Sequence, residues 1–273
     1  MIRVCARSAL APVLMLIPLA VAPTSSAAAA PQTLTVLTYN IHHGAGADDA
    51  LALERTARVV KDSGADVVGL QEVDRHYDAR SDFVDQAAWL AERLGMHVVY
   101  GANLSLDPPR SGEPRREYGT AILSRFPVTG SHNTPLPRPG DLEQRGLLEA
   151  DINVEGTAVR FLTTHLDHTS QSARQTQAEA VKNLVAGSTR PTVLVGDLNA
   201  PPAAREVLTL TRSLSDVWRK AGDGGAGYTF DARNPHKRID YVLTSAGISA
   251  RQAEVIESDA SDHLPVTVEV TVP

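Results

Sequence analysis

Short apolar strands alternate with amphipathic helices through the first hundred residues, and this alternation restricts the fold to layered α/β architectures. Strands are predicted at 34–40, 66–70 and 96–101, with helices between them at 50–62 and 84–94. After a polar segment at 105–116, one further helix is predicted at 172–185, and short strands are predicted at 119–123, 128–133, 147–154, 157–165, 192–195, 239–243, 248–255 and 264–270. Glu155 and Gly156 indicate a hairpin turn. No repeat or linker interrupts residues 31–273, so we expect one domain there.

The first 30 residues have the pattern of a secretory signal peptide. Arg3 and Arg7 precede an apolar stretch at 9–22, and a run of small residues follows at 26–30. The apolar stretch is shorter than the roughly 20 residues that a membrane span requires, although an uncleaved anchor is the alternative. We therefore expect a secreted protein without stable membrane insertion. The only cysteine, Cys5, lies within this segment, so the mature chain should contain no disulfide.

The charge balance does not favour tight, non-specific binding of nucleic acid. The formal net charge is −6, with 26 basic and 32 acidic residues, and removal of the signal peptide takes away only basic ones. Binding of nucleic acid through phosphate neutralisation requires a basic surface. A local patch remains an alternative, because Arg110, Arg115 and Arg116 cluster in the polar segment at 105–116.

Carboxylate, amide and imidazole side chains recur where the predicted strands begin or end. They are Asn40, Glu72, His165, Asp197, Asn199, Asp240, Asp262 and His263. Ligands of α/β sheets collect at strand ends, where loops converge. Carboxylate and amide oxygens suit a hard cation such as Mg²⁺. The pattern therefore predicts a site for metal-assisted chemistry.

These residue types fit the hydrolysis of a phosphoester. That reaction needs a metal to polarise the phosphoryl oxygen, a base for water and donors for the developing charge. Glu72 and Asn40 can supply oxygens to the metal, and Asp197 can take a proton from water. His165 and His263 can donate to phosphate oxygens. Asp262 can bind metal or fix the local protonation state.

Seven segments, in order, resemble the endonuclease/exonuclease/phosphatase superfamily, which includes DNase I-like nucleases, neutral sphingomyelinases and inositol-polyphosphate phosphatases. They are TYNIHHG at 38–44, LQEV at 70–73, YGTAILSRFP at 118–127, TTHLDH at 163–168, GDLNAPP at 196–202, RIDYVL at 238–243 and SDHLPV at 261–266. The resemblance implies a four-layer α/β/β/α sandwich, with two mixed sheets face to face and helices outside. NIHHG, THLDH, Arg174 and Gln177 further resemble a bacterial subgroup of metal-dependent hydrolases.

The resemblance also implies a role for each matching residue. Glu72 resembles the principal Mg²⁺ ligand, with Asn40 and Asp262 beside the metal and Mn²⁺ as the alternative ion. Asp197 resembles the residue that activates water, and Asn199 its orienting partner. His165, His263 and Tyr118 resemble groups that contact the phosphate. Asp240 matches a supporting carboxylate.

Some candidates have an equally simple structural explanation. Tyr118 can pack at a sheet edge, and Asn40 can cap the turn after its strand. Arg145 can be a phosphate partner or one half of a surface ion pair. His43 can line the pocket, and His168 can brace the loop after His165.

We expect a monomeric, secreted hydrolase that acts on a phosphoester with Mg²⁺. A phosphodiester of a lipid head group or small molecule is favoured as substrate because the chain is acidic. An extracellular DNase- or RNase-type endonuclease is the alternative. A catalytically inactive binding module is a third hypothesis, and it predicts losses among the site residues, none of which is seen.

Overall fold

A computed structural model describes residues 1, 2, 5 and 30–273. Its twelve strands are β1 (Gln32–Asn40), β2 (Val67–Arg75), β3 (His97–Leu106), β4 (Arg116–Ser124), β5 (Val128–Pro135), β6 (Gly146–Val154), β7 (Thr157–His165), β8 (Thr192–Asp197), β9 (Ser215–Asp216), β10 (Asp240–Thr244), β11 (Ser249–Val255) and β12 (Val266–Val272). Its α-helices are α1 (Leu53–Asp62), α2 (Gln86–Leu94), α3 (Gln171–Val185), α4 (Arg205–Leu210) and α5 (Trp218–Ala221). Two short 3₁₀ turns cover His42–Gly44 and Ala79–Ser81.

The strands form two mixed sheets of six. The first has the order β11-β12-β1-β2-β4-β3 and the second β5-β6-β7-β8-β10-β9. Each sheet contains one parallel pair, β1 with β2 and β7 with β8, and the other neighbours are antiparallel. A helix connects each parallel pair, α1 in the first sheet and α3 in the second, as a crossover connection requires.

The alternation of side chains along each strand divides the core into layers. On β1, Leu34 and Val36 face the second sheet, whereas Leu37 and Tyr39 pack with α1 and α2. The second sheet likewise packs one face against the first sheet and its outer face against α3 and α4. Both faces of the central strands are buried, so apolar residues occur at successive positions, as at Val67 and Val68 of β2 and at Val193, Leu194 and Val195 of β8. The predicted four-layer α/β/β/α sandwich is confirmed.

The predicted elements are present, but several boundaries differ. Strand β2 continues past the predicted end at residue 70 to Arg75, because a bulge lets pairing with β4 resume at Val73. The short helices α4 and α5 were not predicted, since neither is long enough to show a clear helical period. The predicted hairpin joins β6 to β7, and Glu155 and Gly156 both have positive φ.

The predicted signal peptide falls almost wholly on residues 3, 4 and 6–29, outside the described part of the chain. Within the part that the structure does describe, every helix is too short or too polar to cross a membrane.

Candidate active site

Strand ends from both sheets meet at one edge of the sandwich. In the first sheet, Asn40 at the end of β1 is level with Gln71 of β2. In the second, Asp197 at the end of β8 is level with both His165 of β7 and Asp240 of β10. Parallel neighbours end at the same edge, so the register of each sheet delivers its polar terminal residues to one place.

Asn40 joins the two sheets at this edge. Its side chain is buried, and Nδ2 donates to Glu72 Oε1 at 3.0 Å and to Asp197 Oδ2 at 3.1 Å. Its Oδ1 accepts the backbone N–H of His42 at 3.1 Å. The amide therefore holds two carboxylates from different sheets together. Its predicted role as a metal ligand would need the amide to turn its oxygen toward the site, and it stays a prediction.

Glu72 is placed by the bulge in β2. Leu70 pairs with Ala121 and Val73 with Gly119, so Gln71 and Glu72 together oppose the single residue between those partners. Glu72 has a φ of 58°, a conformation that costs a non-glycine residue energy and that occurs preferentially at functional sites. The bulge turns the carboxylate out of the sheet toward Asn40.

His263 and Asp240 form a buried pair beside Asp197. Nδ1 of His263 lies 2.9 Å from Asp240 Oδ2, and Nε2 lies 3.7 Å from Asp197 Oδ2. Burial alone would lower the pKa of His263, but Asp240 and Asp197 outweigh it and raise the pKa to about 10. Burial, and then the charge of Asp240, raise the pKa of Asp197 to about 7. His263 is thus held as a cation next to a carboxylate that titrates near neutrality, as a general base requires.

His165 lies on the other side of Asp197, with its Nε2 3.5 Å from Asp197 Oδ2. Arg145 Nη1 approaches Nδ1 of His165 at 2.9 Å, and Asn199 Nδ2 lies 3.0 Å from Nε2. Burial and the neighbouring guanidinium hold the pKa of His165 well below its usual range. The two histidines beside Asp197 therefore differ in charge, one neutral and one cationic.

A group of aromatic and charged side chains lies near Glu72. Tyr118 is buried on β4, and its ring is 5.8 Å from that of Tyr77. Burial, and then the charge of Glu72, raise the pKa of the Tyr118 hydroxyl well above its ordinary value. The Arg80 guanidinium lies over both rings. It also donates two hydrogen bonds to the buried Asp74 carboxylate, from Nε at 2.9 Å and from Nη2 at 2.8 Å. The motifs did not single out Arg80, Asp74 or Tyr77.

Asp262 and His43 complete this edge of the sandwich. The Ser261 hydroxyl donates to the backbone oxygen of Asn40 at 2.7 Å, and Asp262 Oδ1 lies 3.2 Å from the same hydroxyl oxygen and 3.9 Å from His42 Nδ1. His43 has a φ of 45° and packs edge-on against His42. His168 contacts Arg145 at 3.0 Å. The twelve predicted site residues are thus linked by contacts or charge at one end of the molecule.

The chemistry of the donors fits a divalent cation. Within the described residues, neither Glu72 nor Asp262 forms an ion pair with lysine or arginine, and Asp262 Oδ1 lies 3.9 Å from His42 Nδ1. A carboxylate without a cationic partner beside a second carboxylate is a favourable site for Mg²⁺. Asp197, Asp240 and His263 also offer ligand atoms within 4.8 Å of one another. Their spacing is explained by the His263–Asp240 hydrogen bond, and the assignment of Glu72 and Asp262 as metal ligands stays a prediction.

Two curated relatives are similar over most of this chain. They are Cwh43 of Schizosaccharomyces pombe (28% identity over 75% of this chain) and tyrosyl-DNA phosphodiesterase 2 of Xenopus laevis (27% over 80%). The chain spans only 20% and 58% of their respective lengths.

Solved structures of other proteins share this fold over most of the chain. An endonuclease/exonuclease/phosphatase from Beutenbergia cavernae superposes with a TM-score of 0.77 and 30% identity, covering 88% of this chain and 72% of the other. A mannosyl-6-phosphatase from Bacteroides thetaiotaomicron has a TM-score of 0.70 and 22% identity, covering 87% and 99%. The sequence profile of the endonuclease/exonuclease/phosphatase family matches residues 37–263. The chain therefore belongs to this family, whose hydrolases act on phosphoesters.

Proposed function

We propose that this protein is a secreted, Mg²⁺-dependent phosphodiesterase that hydrolyses a lipid head group or small phosphodiester by in-line attack of water. One observation carries the proposal. Asp197 Oδ2 accepts a hydrogen bond from Asn40 Nδ2 at 3.1 Å. The same oxygen lies between the Nε2 atoms of His165 and His263, at 3.5 and 3.7 Å. A base flanked by two imidazoles and linked through Asn40 to Glu72 is suited to a phosphoryl group and its attacking water.

The residues of this chain divide the reaction among them. Asp197 accepts the proton of the attacking water, the new P–O bond forms and the ester P–O bond breaks. The leaving alkoxide takes a proton from solvent. His263, as an imidazolium, and His165, as a neutral N–H donor, hydrogen-bond the oxygens of the phosphoryl group as negative charge develops. Asn199, whose backbone N–H donates to Asp197 Oδ1 at 2.8 Å, keeps the carboxylate in position.

Glu72 and Asp262 would hold the cation, with Asn40 beside them. When bound, Mg²⁺ supplies Lewis-acid stabilisation of phosphoryl charge and lowers the pKa of nearby water. Tyr118, buried next to Glu72 and with a raised pKa, would keep its hydroxyl protonated and able to donate to the substrate.

The surface charge supports a small or lipid substrate over a long nucleic acid. Two of the three arginines in the basic cluster after β3 are paired within the loop, Arg110 with Glu113 and Arg115 with Asp107. Near the site, Arg80 and Arg145 are likewise engaged by carboxylates of the protein. The acidic balance of the chain, with 26 basic and 32 acidic residues, also disfavours binding along a long phosphate backbone.

A DNA-linked phosphodiester is the second candidate. It is favoured by the similarity to tyrosyl-DNA phosphodiesterase 2, a protein named for that type of bond.

A substrate panel tests the proposal. Residues 31–273 would be assayed with bis(4-nitrophenyl) phosphate, 4-nitrophenyl phosphate, phospholipid vesicles and supercoiled plasmid, in Mg²⁺, Mn²⁺ or EDTA. We expect diester hydrolysis that EDTA abolishes, and its loss in Asp197→Ala and His263→Ala. His132→Ala, an exposed histidine on β5, is the matched control and should keep full activity.

Three results would contradict parts of the proposal. Full hydrolysis by a folded His263→Ala variant would refute the assigned mechanism. Faster plasmid nicking than lipid or small-diester hydrolysis would reverse the substrate ranking. Mass spectrometry of the N-terminus of the exported protein tests secretion, and an intact Met1 on material from the medium would exclude signal cleavage.

A further inference from the structure

Arg145 is buried where β6 begins, although an arginine side chain normally reaches solvent. Only 2% of its surface is exposed. Leu147 of β6 pairs with Thr164 of β7, so Arg145, two residues earlier, lies beside the end of β7 at His165. Its carbonyl oxygen accepts the N–H of Leu136 at 2.8 Å, which fixes the backbone from which the guanidinium extends.

The guanidinium of Arg145 contacts two imidazoles at once. Nη1 lies 2.9 Å from His165 Nδ1, and Nη2 lies 3.0 Å from His168 Nδ1. Glu143 Oε1, 3.0 Å from Nη1, balances the charge. A guanidinium has only donors and does not lose its proton in proteins. Each Nδ1 must therefore accept, and in the neutral ring of His165 the hydrogen must be on Nε2.

The opposite tautomer of His165 would place two N–H donors against each other. Nδ1–H would then face Nη1 of a cation at 2.9 Å in a buried position, leaving both donors unsatisfied. On the other side of the ring, Asn199 Nδ2 lies 3.0 Å from Nε2, but this amide also donates to Leu166 O at 3.0 Å. The Asn199 amide can turn so that Oδ1 accepts from Nε2–H, at the loss of its bond to Leu166 O, whereas the Arg145 guanidinium has no acceptor to offer. The arginine therefore determines the tautomer.

We propose that Arg145 is a positioning residue, which makes His165 present an Nε2–H donor toward Asp197 and the phosphoryl group. The role in phosphoryl binding rests on the proposed function, whereas the tautomer does not. The opposite arrangement holds at His263, whose Nδ1 faces the Asp240 carboxylate at 2.9 Å. Two histidines beside one base are thus oriented by groups of opposite charge.

The tautomer can be measured without any substrate. Protein labelled with ¹⁵N-histidine would be examined at pH 7.5 by long-range ¹H–¹⁵N correlation, with the His165 signals assigned by their loss in His165→Gln. We expect the wild-type protein to show the Nε2–H pattern at His165. An Nδ1–H pattern in the wild-type protein overturns the inference, whether or not any variant folds.

Variants of Arg145 connect the tautomer to turnover. In Arg145→Met we expect a mixture of tautomers at His165 and a fall in kcat of about 10- to 100-fold, as is typical when a group orienting a site residue is lost. KM should change less than about threefold, since Arg145 does not itself contact substrate. Arg145→Lys keeps the charge and one donor, so it should recover part of the Nε2–H signal and of kcat.

Arg174→Met is the matched control. Arg174 is also mostly buried and pairs with Glu206 at 2.9 Å, but it does not contact either imidazole. It should lower the melting temperature without altering the His165 spectrum. If Arg145→Met keeps the Nε2–H tautomer and changes KM alone, Arg145 binds substrate and the inference is wrong. If the tautomer is as expected but no phosphoester is hydrolysed, the proposed function fails and the orienting role of Arg145 stands.

Discussion

Replacing Asp240 with asparagine removes the charge that faces His263 while keeping the shape of the side chain. The carboxylate lies 2.9 Å from Nδ1, and both residues are buried. Asp240 is the largest influence that raises the pKa of His263 to about 10, and it also raises the pKa of Asp197. In Asp240→Asn the pKa of His263 should return toward its ordinary value of about 6.5, and that of Asp197 should also fall.

The size of the effect depends on pH. At pH 8.5 the wild-type His263 remains an imidazolium, but with a pKa near 6.5 only about 1% of the variant would be protonated, so kcat should fall about 100-fold. At pH 6 most of the variant is still cationic. There the loss reflects a charge-assisted hydrogen bond replaced by a neutral one, about 1–2 kcal/mol, or about five- to thirtyfold.

The assay is hydrolysis of bis(4-nitrophenyl) phosphate with Mg²⁺ from about pH 5.5 to about pH 11, stopped with alkali. The wild-type rate should rise through about pH 7 as Asp197 loses its proton, and fall only near pH 10 as His263 loses its own. Both limbs should move to lower pH in Asp240→Asn. Asp216→Asn, which removes a buried carboxylate paired with Arg238 at 2.7 Å, should reduce stability without moving either limb. An Asp240→Asn variant that retains more than half of kcat at pH 8.5 would show that the imidazolium is not needed.

Three other changes test separate parts of the structure. Asp197→Asn should abolish activity yet leave the melting temperature at pH 8 in EDTA unchanged or about 2–4 °C higher. Because the pKa of Asp197 is raised from 3.8 to about 7, this carboxyl lowers the stability of the fold as the pH rises between those values, and the whole cost is present at pH 8. A lower melting temperature would contradict this. Gly69→Ala should lower the free energy of unfolding in urea by about 1–3 kcal/mol, because a Cβ at this position would clash with Val195 Cγ2 of the second sheet. An unchanged urea midpoint would show that the sheets can separate locally. Mg²⁺ at 100 times its Kd should stabilise the protein by about 2.7 kcal/mol, which is measured as a rise in melting temperature. Glu72→Gln should abolish this rise. The control variant Glu54→Gln, at an exposed position on α1, should retain it.

The meeting of Asn40, His165 and Asp197 could be predicted from the sequence. Each follows an apolar run that forms a central strand, and the strands that carry them end at the same edge. The layered fold followed from the alternation of strands and helices, whereas its assignment to a four-layer sandwich came from the family motifs. Burial on both faces makes such strands easy to locate, and the residue after each strand is then easy to identify.

Arg80 and its partner Asp74 could not be found in the same way. They come together because β2 continues beyond its bulge to Arg75 and a 3₁₀ turn at Ala79–Ser81 brings the chain back. Neither feature produces a hydrophobic period, so the sequence offers no local signal for this contact. The Arg145 side chain shows the same limit. A phosphate contact and a surface ion pair were both open from the sequence, and only the register of β6 on β7 buries it between two histidines.

The site depends on the docking of the two sheets, because neither sheet contains the whole set of groups. Asn40 and Glu72 belong to the first sheet and Asp197 to the second, and Asn40 Nδ2 joins all three side chains. Beneath them, Gln71 Nε2 crosses the interface to donate to Thr163 Oγ1 at 2.8 Å. A slip of one sheet on the other would break the buried Asn40–Asp197 and Gln71–Thr163 hydrogen bonds together, so these contacts penalise it. The polar contacts at this end of the core thus fix the relative position of the sheets, which sets the spacing between the base Asp197 and the carboxylate Glu72.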